Sequence, residues 1–219
     1  MIELLIEKIR YSEIDKVAGV LTEALKTNPA YSIIFKKKEQ SEAGLLWLFK
    51  TNLFMLNKQQ ILTNVIKEKN TGKIIGTFTI IPPQGIKSSI SVYTKIGLPK
   101  FIWKFGINSL IRMLCLDKYN KKLLTEAMQI SNYYYLSMVV VKEEYRGLGV
   151  GTFALKRAIE ELKSSVPSFN LMGLTTQLPE NIVFYSRLGF YKLDEKIIDF
   201  KGDKYFNSNM KLKLLRIFQ

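Results

Sequence analysis

A glycine-rich segment carries the residues whose types and spacing best suit chemistry in this sequence. Arg146-Gly147-Leu148-Gly149-Val150-Gly151 follows a short apolar run, Met138–Val141, and precedes a helical pattern marked by Leu155, Ala158 and Ile159. A glycine loop between a strand and a helix exposes backbone N–H groups at the positive end of the helix dipole, and this geometry binds phosphate. The segment therefore predicts a phosphate-bearing ligand, and a tight structural turn is the alternative.

Two common phosphate-binding loops do not fit this segment. The nucleotide P-loop needs Lys followed by Ser or Thr after its last glycine, and Thr152-Phe153 stands there instead. The dinucleotide fingerprint needs a glycine at Thr152 and an acidic strand end about 20 residues later, and neither is present. A third pattern, Arg/Gln-x-x-Gly-x-Gly/Ala, is matched by Arg146, Gly149 and Gly151.

A second set of chemically capable residues follows the next predicted strand, Leu171–Thr176. Asn181 and Tyr185 are four residues apart, so they share one face of a predicted short helix. Gly189 suits the left-handed residue that closes a helix, and Phe190 comes directly after it. The two motifs in this order are much more specific than either one alone.

With these two motifs the chain resembles the GCN5-related N-acetyltransferase (GNAT) superfamily. The aromatic segment Tyr133–Tyr135 and the segment Leu174–Gln177 are similar to the puromycin N-acetyltransferase-like branch of that superfamily. That branch often has His at the position of Asn132, and this chain contains no His. The resemblance implies one α/β domain over residues 1–219. It implies a single mixed, mostly antiparallel sheet flanked by helices, in which two parallel strands splay apart at the cofactor site.

The resemblance also implies an activity, the transfer of an acetyl group from acetyl-CoA to a primary amine of a small molecule by direct attack. Tyr185 would be the general acid that protonates the CoA thiolate, because a tyrosine of ordinary pKa, about 10, is protonated at neutral pH. Whether the transferred group is acetyl or a longer acyl chain stays open. The expected acetyl-CoA-binding residues lie on the central strand, the glycine loop and the short helix: Met138, Val139, Val140, Val141, Arg146, Gly147, Leu148, Gly149, Val150, Gly151, Thr152 and Asn181.

No residue stands out as the base that takes the proton of the amine. Glu126 and the tyrosines of Tyr133–Tyr135 are candidates, whereas Glu143 and Glu144 flank the loop and read as solvated charges. Water could also carry the proton away without a protein base.

The other elements follow from hydrophobic periodicity. The helix predicted over 14–25 ends at Asn28-Pro29, and Gly76 marks a bulge or a close backbone approach inside a strand. In the superfamily the first two helices form one wall of the acceptor site. The remaining predicted elements are strands over 2–9, 61–69, 73–81, 191–200 and 208–214 and a helix over 39–57.

A segment of about 40 residues, 88–128, is an insertion relative to a plain member of the superfamily, and it is too long for a structureless loop. Gly97-Leu98-Pro99 looks like the start of a helix, and a second helical piece ends at Met128. Residues 86–128 contain eight Lys or Arg and two Asp or Glu. The insertion could be a lid, a dimer face, a membrane-surface patch or a helical hairpin that packs on the sheet.

The composition restricts the class of protein and its partners. The net charge is +14, from 33 Lys and Arg against 19 Asp and Glu, and this excess can attract polyanions. A non-catalytic acyl-CoA-binding domain and a basic nucleic-acid-binding protein are therefore the alternative functions, although no nucleic-acid-binding signature is found. We expect no stable complex with nucleic acid or membrane, and a homodimer stays open.

The cysteine and histidine content limits the thiol and metal chemistry that this chain can carry out. The single cysteine, Cys115, lies among apolar residues, and we expect it to be a small core residue. Without His and with one Cys, the sequence suggests no metal site.

Early charges after Met1 argue against a signal peptide, and no uncharged run reaches the 18 residues of a membrane-spanning helix. We therefore expect a cytoplasmic protein.

Overall fold

The structure is a computed structural model that describes residues 2–58, 60–85 and 97–214. The first part of the predicted insertion, 88–96, lies outside these residues. The described strands are β1 (Leu4–Lys8), β2 (Thr63–Glu68), β3 (Ile74–Ile81), β4 (Tyr134–Val141), β5 (Leu171–Thr176), β6 (Tyr191–Phe200) and β7 (Asp203–Lys213). The described α-helices are α1 (Ile14–Leu25), α2 (Pro29–Ser32), α3 (Lys38–Asn57), α4 (Leu98–Phe105), α5 (Ile107–Met128), α6 (Val150–Ser165) and α7 (Pro179–Ser186).

The described strands form one sheet in the order β1-β2-β3-β4-β5-β7-β6. Every neighbouring pair is antiparallel except β4 and β5, which are parallel. That parallel pair is short, since its register covers only Tyr134 with Met172 and Tyr135 with Gly173. Both strands continue beyond these residues, so they diverge toward their carboxyl ends. The predicted mixed sheet with two splayed parallel strands is confirmed.

A β-bulge lies on β4 just beyond the point where the two strands diverge. Thr77 pairs with Val140 and Thr79 pairs with Ser137, so β4 has one more residue than β3 between these pairs. Met138 lies in this interval with a φ of 50°, which is rare for a residue with a side chain. A bulge bends its strand and leaves backbone groups unpaired at that point, while the last residues of β4, Val140 and Val141, still pair with β3.

Two apolar layers sandwich the sheet because neighbouring strand residues point to opposite faces. Val65 and Ile74 pack with α1 to α5, whereas Ile66 and Ile75 pack with α6 and α7 on the other face. Gly76 fits the predicted close approach, since a β-carbon there would lie 2.6 Å from the Val140 carbonyl oxygen. Each face of the sheet therefore has a core of its own.

The described part of the insertion consists of α4 and α5, joined at Gly106. Phe101, Phe105, Leu110 and Leu116 are buried in the same core as α1 and α3. Farther along α5, Leu124 and Met128 pack against the start of β5. Cys115 was expected in the core, but it is exposed, because it lies on the opposite face of α5 from these residues. That expectation was wrong.

Candidate active site

The glycine loop joins β4 to α6 by way of a short 3-10 turn, Glu143–Tyr145. The first helical hydrogen bond of α6 is donated by the Phe153 N–H to the Gly149 carbonyl at 2.9 Å. The amides of Val150, Gly151 and Thr152 therefore precede the first acceptor of the helix, as amides at a helix N-terminus do. The predicted loop residues thus stand where backbone donors and the helix dipole point out of the end of α6.

Glycine is needed in this loop for its backbone conformation. Gly147 and Gly149 have φ angles of 76° and 78°, which side-chain-bearing residues rarely adopt. Apart from the chain neighbours, no described residue has an atom within 4 Å of a β-carbon built on either glycine, so open space lies there. The Arg146 side chain is exposed, and its Nε donates to the Val141 carbonyl oxygen at 3.1 Å, which holds the guanidinium beside the loop.

Three elements that carry predicted site residues meet at Gly151. A β-carbon on Gly151 would lie 3.2 Å from Phe184 of α7 and 3.4 Å from Val141 of β4. Val139 and Val141 pack into the core that contains α6 and α7, whereas Met138 and Val140 pack on the opposite face. The end of β4, the start of α6 and helix α7 are therefore in direct contact, and the exposed Leu148 lies in the loop between them.

Tyr185 is buried near the end of α7, in the same apolar cluster as Leu136 of β4 and Val150 of α6. Its ring packs edge-on against Phe184 and Phe190, with centroid distances of 5.0 and 5.8 Å. Within the part of the chain that the structure describes, the hydroxyl has no hydrogen-bond partner. Burial raises the pKa of Tyr185 above its ordinary value, so the hydroxyl keeps its proton at any neutral or mildly basic pH.

Asn181 lies one helical turn before Tyr185 and is half-buried. Its Nδ2 donates to the Thr176 hydroxyl oxygen at 3.1 Å, which ties α7 to the carboxyl end of β5. The side-chain carbonyl oxygen is thus the group of Asn181 that is left to accept a hydrogen bond from a ligand.

Helix α2 lies on the face of the sheet opposite α6 and α7. It packs on β7, and Asn28 at its N-terminus donates to the Gln177 side-chain oxygen, next to the end of β5, at 3.5 Å. Burial raises the pKa of Tyr31 to about 12, with Asp117 of α5 as the second cause. Burial also raises the pKa of Tyr135 on β4, and the nearby Tyr31 contributes. Side chains from α2, β4 and α5 therefore converge on this face.

A chain of three amides follows the same face. The Ala30 N–H donates to Asn28 Oδ1 at 3.0 Å, so Asn28 must present Nδ2 to Gln177. Gln177 in turn donates through Nε2 to Asn207 Oδ1 at 3.4 Å. Asn207 Nδ2 is buried and has no hydrogen-bond partner among the described residues. The Ala30 N–H thus fixes the orientation of all three side-chain amides. The last of them, Asn207, has an Nδ2 that donates to no described group.

Sequence reasoning missed these amides as site residues. In the sequence, Asn28 is recognisable only as part of the end of the first helix. Gln177 is recognisable only as part of a segment that is similar to one branch of the superfamily. Asn207 lies on a strand with no recognisable motif around it. The sequence holds no local signal for these amides, whereas the structure shows that Asn28 and Asn207 are buried, and buried amides need hydrogen-bond partners.

Of the groups considered as bases, Tyr135 lies on this face, whereas Glu126 and Glu144 are exposed and pair with lysines. Glu126 is exposed and lies 3.7 Å from Lys122, and Glu144 is exposed and lies 3.5 Å from Lys73. The hydroxyl oxygen of Tyr133 lies 3.1 Å from the hydroxyl oxygen of Thr125. The raised pKa of Tyr135 makes its ionised form scarce, so it is a poor base. Among the described residues no group of three or more His, Cys, Asp or Glu could hold a metal ion.

Known proteins share this arrangement of elements. The model of the acetyltransferase (GNAT) family matches residues 28–190, which is more than half of the chain. The chain belongs to the GNAT acetyltransferase family. No sequence among the curated proteins compared matches it.

Solved structures of GNAT proteins share the fold at low sequence identity. A histone acetyltransferase HPA2-related protein from Corynebacterium glutamicum is 17% identical over 100% of both chains, with a TM-score of 0.65. An agmatine N-acetyltransferase is 12% identical over 96% of this chain and 99% of its own, with a TM-score of 0.63. A putative acetyltransferase from Salmonella typhimurium, solved with acetyl-CoA, is 15% identical over 99% and 97%, with a TM-score of 0.54.

Proposed function

We propose that this GNAT protein transfers the acetyl group of acetyl-CoA to a primary amine of a small molecule by direct attack. The amine nitrogen forms a bond to the thioester carbonyl carbon, and the carbon–sulfur bond breaks. The amine loses one proton and the departing sulfur gains one, so the products are an N-acetylated amine and free CoA. The observation that carries the proposal is Tyr185: its ring is buried in the cluster shared by β4, α6 and α7, its hydroxyl makes no hydrogen bond within the described part of the chain, and burial raises its pKa.

Tyr185 is the proton donor in this scheme. A thiolate leaving group benefits from a proton in the transition state, and general acid help contributes about 10²–10⁴-fold to the rate. Burial disfavours the tyrosinate, so the hydroxyl is almost fully protonated and its O–H is available to the sulfur. The Tyr185 ring packs in an apolar cluster, whereas its hydroxyl oxygen keeps some contact with solvent, so its O–H is open to a ligand.

The loop residues suit the CoA portion of the substrate. Amides from Gly147 to Thr152 and the Arg146 guanidinium are the donors for the pyrophosphate, because they lie at the N-terminus of α6. The diverging, bulged end of β4, Met138 to Val141, offers main-chain groups to the pantetheine amides. Asn181 accepts from a pantetheine N–H through Oδ1, since its Nδ2 already donates to Thr176.

The acceptor amine approaches from the face covered by α2. The groups there are the hydroxyls of Tyr31 and Tyr135 and the amides that end at Asn207, which favour a polar acceptor. Asp117 is a carboxylate that acts on Tyr31 and Tyr135, but it pairs with Lys121 at 2.7 Å, so in this scheme water takes the proton of the amine. The agmatine N-acetyltransferase among the structural neighbours supports a small amine as the acceptor class.

The test is an assay of thiol release from acetyl-CoA with a panel of primary amines, run on the parent protein and on Tyr185→Phe. We expect kcat to fall about 10²-fold or more in Tyr185→Phe, while the Kd for acetyl-CoA stays within about twofold. Tyr191→Phe is the matched control, because Tyr191 is exposed on β6 and loses only a solvated hydroxyl.

The outcomes separate the alternatives. Binding of acetyl-CoA without thiol release for any acceptor would support a non-catalytic binding domain. Failure to bind any acyl-CoA would overturn the transferase proposal, and salt-sensitive binding to nucleic acid would then support the basic-protein alternative.

A further inference from the structure

The outer face of the inserted helices is apolar and uncovered by any described residue. Trp103 of α4 is 86% exposed, and Ile107, Ile111 and Leu114 of α5 are exposed as well. The three α5 residues are spaced by four and three positions, so they form one stripe along the helix. Trp103 precedes this stripe across Gly106. We call these four residues the α4–α5 patch.

This patch is not a displaced part of the core. The opposite side of α4 is buried through Phe101 and Phe105, and Phe101 packs on Trp47 with a centroid distance of 4.2 Å. On α5, Leu110 and Leu116 fill the same core. The helices are thus already anchored by their inner faces, and the patch is a second apolar surface on the same elements.

The charge around the patch is mainly positive, and the next acidic residue along α5, the exposed Asp117, pairs with Lys121 at 2.7 Å. Residues 97–116 contain no Asp or Glu. Lys100 and Lys104 are exposed on the same face of α4 as Trp103, and Lys118 continues the stripe of α5 at its far end. The basic group that does have an acidic partner is Arg112, which lies 2.8 Å from Asp203 and points away from the patch. The patch is therefore apolar with a cationic rim.

A cationic rim decides among the partners that an apolar patch can have. Two copies of this chain would bring like-charged rims together, and each copy carries a net charge of +14. A nucleic acid would satisfy the lysines and leave the apolar stripe exposed. An anionic lipid surface matches both features, because lysines attract its headgroups and apolar side chains enter the boundary below them. Tryptophan, with an apolar body and one N–H, is enriched at that boundary.

We propose that the α4–α5 patch docks on the surface of an anionic lipid bilayer, with Trp103, Ile107, Ile111 and Leu114 inserted at the headgroup boundary. No described helix is long and apolar enough to span a membrane, so the docking is peripheral. This replaces the sequence-based expectation that no membrane is bound, and it does not depend on the proposed transferase activity. Its physical basis is the exposure of the stripe, which the sequence alone does not show.

The experiment is sedimentation with vesicles made of equal parts phosphatidylglycerol and phosphatidylcholine, compared with vesicles of phosphatidylcholine alone. We expect binding to the mixed vesicles, weaker binding to the neutral ones and loss of binding in high salt. The double variant Trp103→Gln, Ile111→Gln should bind the mixed vesicles about tenfold more weakly. Ile197→Gln is the matched control, because Ile197 is 64% exposed on β6, and it should bind like the parent.

A second pair of variants tests the rim. Lys100→Gln with Lys104→Gln should weaken vesicle binding about tenfold, whereas Lys156→Gln with Lys163→Gln, which removes the same charge from the exposed face of α6, should change it little. All of these positions are exposed, and an unchanged Tm verifies that each variant is folded.

Three results would overturn the proposal. One is the absence of sedimentation with mixed vesicles. Another is equal weakening by the α6 lysine pair, which would show attraction by net charge alone. The third is a parent dimer that the Trp103→Gln, Ile111→Gln variant converts to a monomer without any vesicle binding, which would make the patch an interface between copies.

Discussion

Single residues of the glycine loop hold a backbone conformation on which the proposed phosphate site depends. Gly149 has a φ of 78°, and apart from its chain neighbours no described residue has an atom within 4 Å of the place that a β-carbon would take there. Gly72, in the β2–β3 turn, has a φ of 67° and the same free space. The two positions are therefore matched in strain and differ in location. Left-handed backbone costs a residue with a side chain about 1 kcal/mol or more.

Replacing either glycine by alanine should cost similar stability, and only one replacement should change ligand binding. We expect Gly149→Ala and Gly72→Ala each to lower the free energy of unfolding by about 1 kcal/mol. Gly149→Ala should also weaken acetyl-CoA binding about tenfold, which corresponds to about 1.4 kcal/mol. Isothermal titration and denaturant unfolding check both numbers, and equal acetyl-CoA affinity of the two variants would contradict a phosphate role for the loop.

The pH dependence of the reaction follows from the burial of Tyr185. Burial disfavours its charged form, so the folded pKa lies above the ordinary value of 10.0 and the acid stays protonated as the pH rises. We expect kcat to rise with pH as the acceptor amine deprotonates, with no descending limb below about pH 10. A descending limb near pH 9 that disappears in Tyr185→Phe would mean that the hydroxyl ionises in the working range.

At the scale of elements, a buried lysine joins β1, β2 and the turn before α1. Lys67 on β2 is 7% exposed and lies 2.7 Å from a carboxylate oxygen of Glu7 on β1 and 2.7 Å from one of Glu13. Burial by itself would raise the pKa of Glu13, but hydrogen bonds from Lys67 and the Arg10 backbone lower it overall. Lys67 and Glu13 therefore stabilise the sheet edge as charged species.

Removing the lysine should destabilise the protein in a pH-dependent way. Lys67→Met keeps the apolar stem and leaves two carboxylates without their cation, so we expect a loss of about 2 kcal/mol at neutral pH. Glu13 has a lowered pKa, so its contribution is present above the ordinary value of 4.5 and is lost as the pH falls through the folded value. The difference between parent and variant should shrink below about pH 4 in urea unfolding, and a constant difference would contradict this assignment.

Helix α2 connects a capping interaction with the acceptor face. Asn28 caps α2 through Oδ1 and supports Gln177 through Nδ2, so its two groups have separable effects. Asn28→Ala should cost about 1 kcal/mol of stability and raise the KM for the acceptor. Asn28→Ser should restore the cap but not the KM, because serine retains an acceptor for the Ala30 N–H and does not reach Gln177. A normal KM in Asn28→Ser would show that the amide chain does not shape the acceptor site.

At the scale of the whole molecule, the net charge of +14 sets a response to salt. Like charges repel in the compact state, and added salt screens that repulsion. We expect Tm to rise with moderate sodium chloride, by about 2–4 °C if the gain is about 1 kcal/mol. A falling Tm would show that ion pairs such as Lys67 with Glu13 outweigh the general repulsion.

Much of the architecture was predictable because local patterns encode it. The strands β5 and β6 have the bounds that periodicity predicted, and β4 and β7 begin several residues before the predicted starts. The early residues of β4, Tyr134 to Ser137, combine aromatic and polar side chains, so they lack the apolar run that marked Met138–Val141. The mixed sheet was predicted from the resemblance of two motifs to the superfamily. Hydrophobic periodicity alone does not give the order of strands in a sheet.

The sequence by itself determined the family, the glycine loop and the helix that carries Asn181 and Tyr185, because these features are contiguous and their spacing is local. Only the tertiary structure decided which side chains from distant segments meet. It brought Asn28, Gln177 and Asn207 into one hydrogen-bonded chain. It also exposed Cys115 and the α4–α5 patch on the outer face of an apolar helix. An apolar sequence indicates that a helix can be buried, but the packing of neighbouring elements decides which face of that helix is buried.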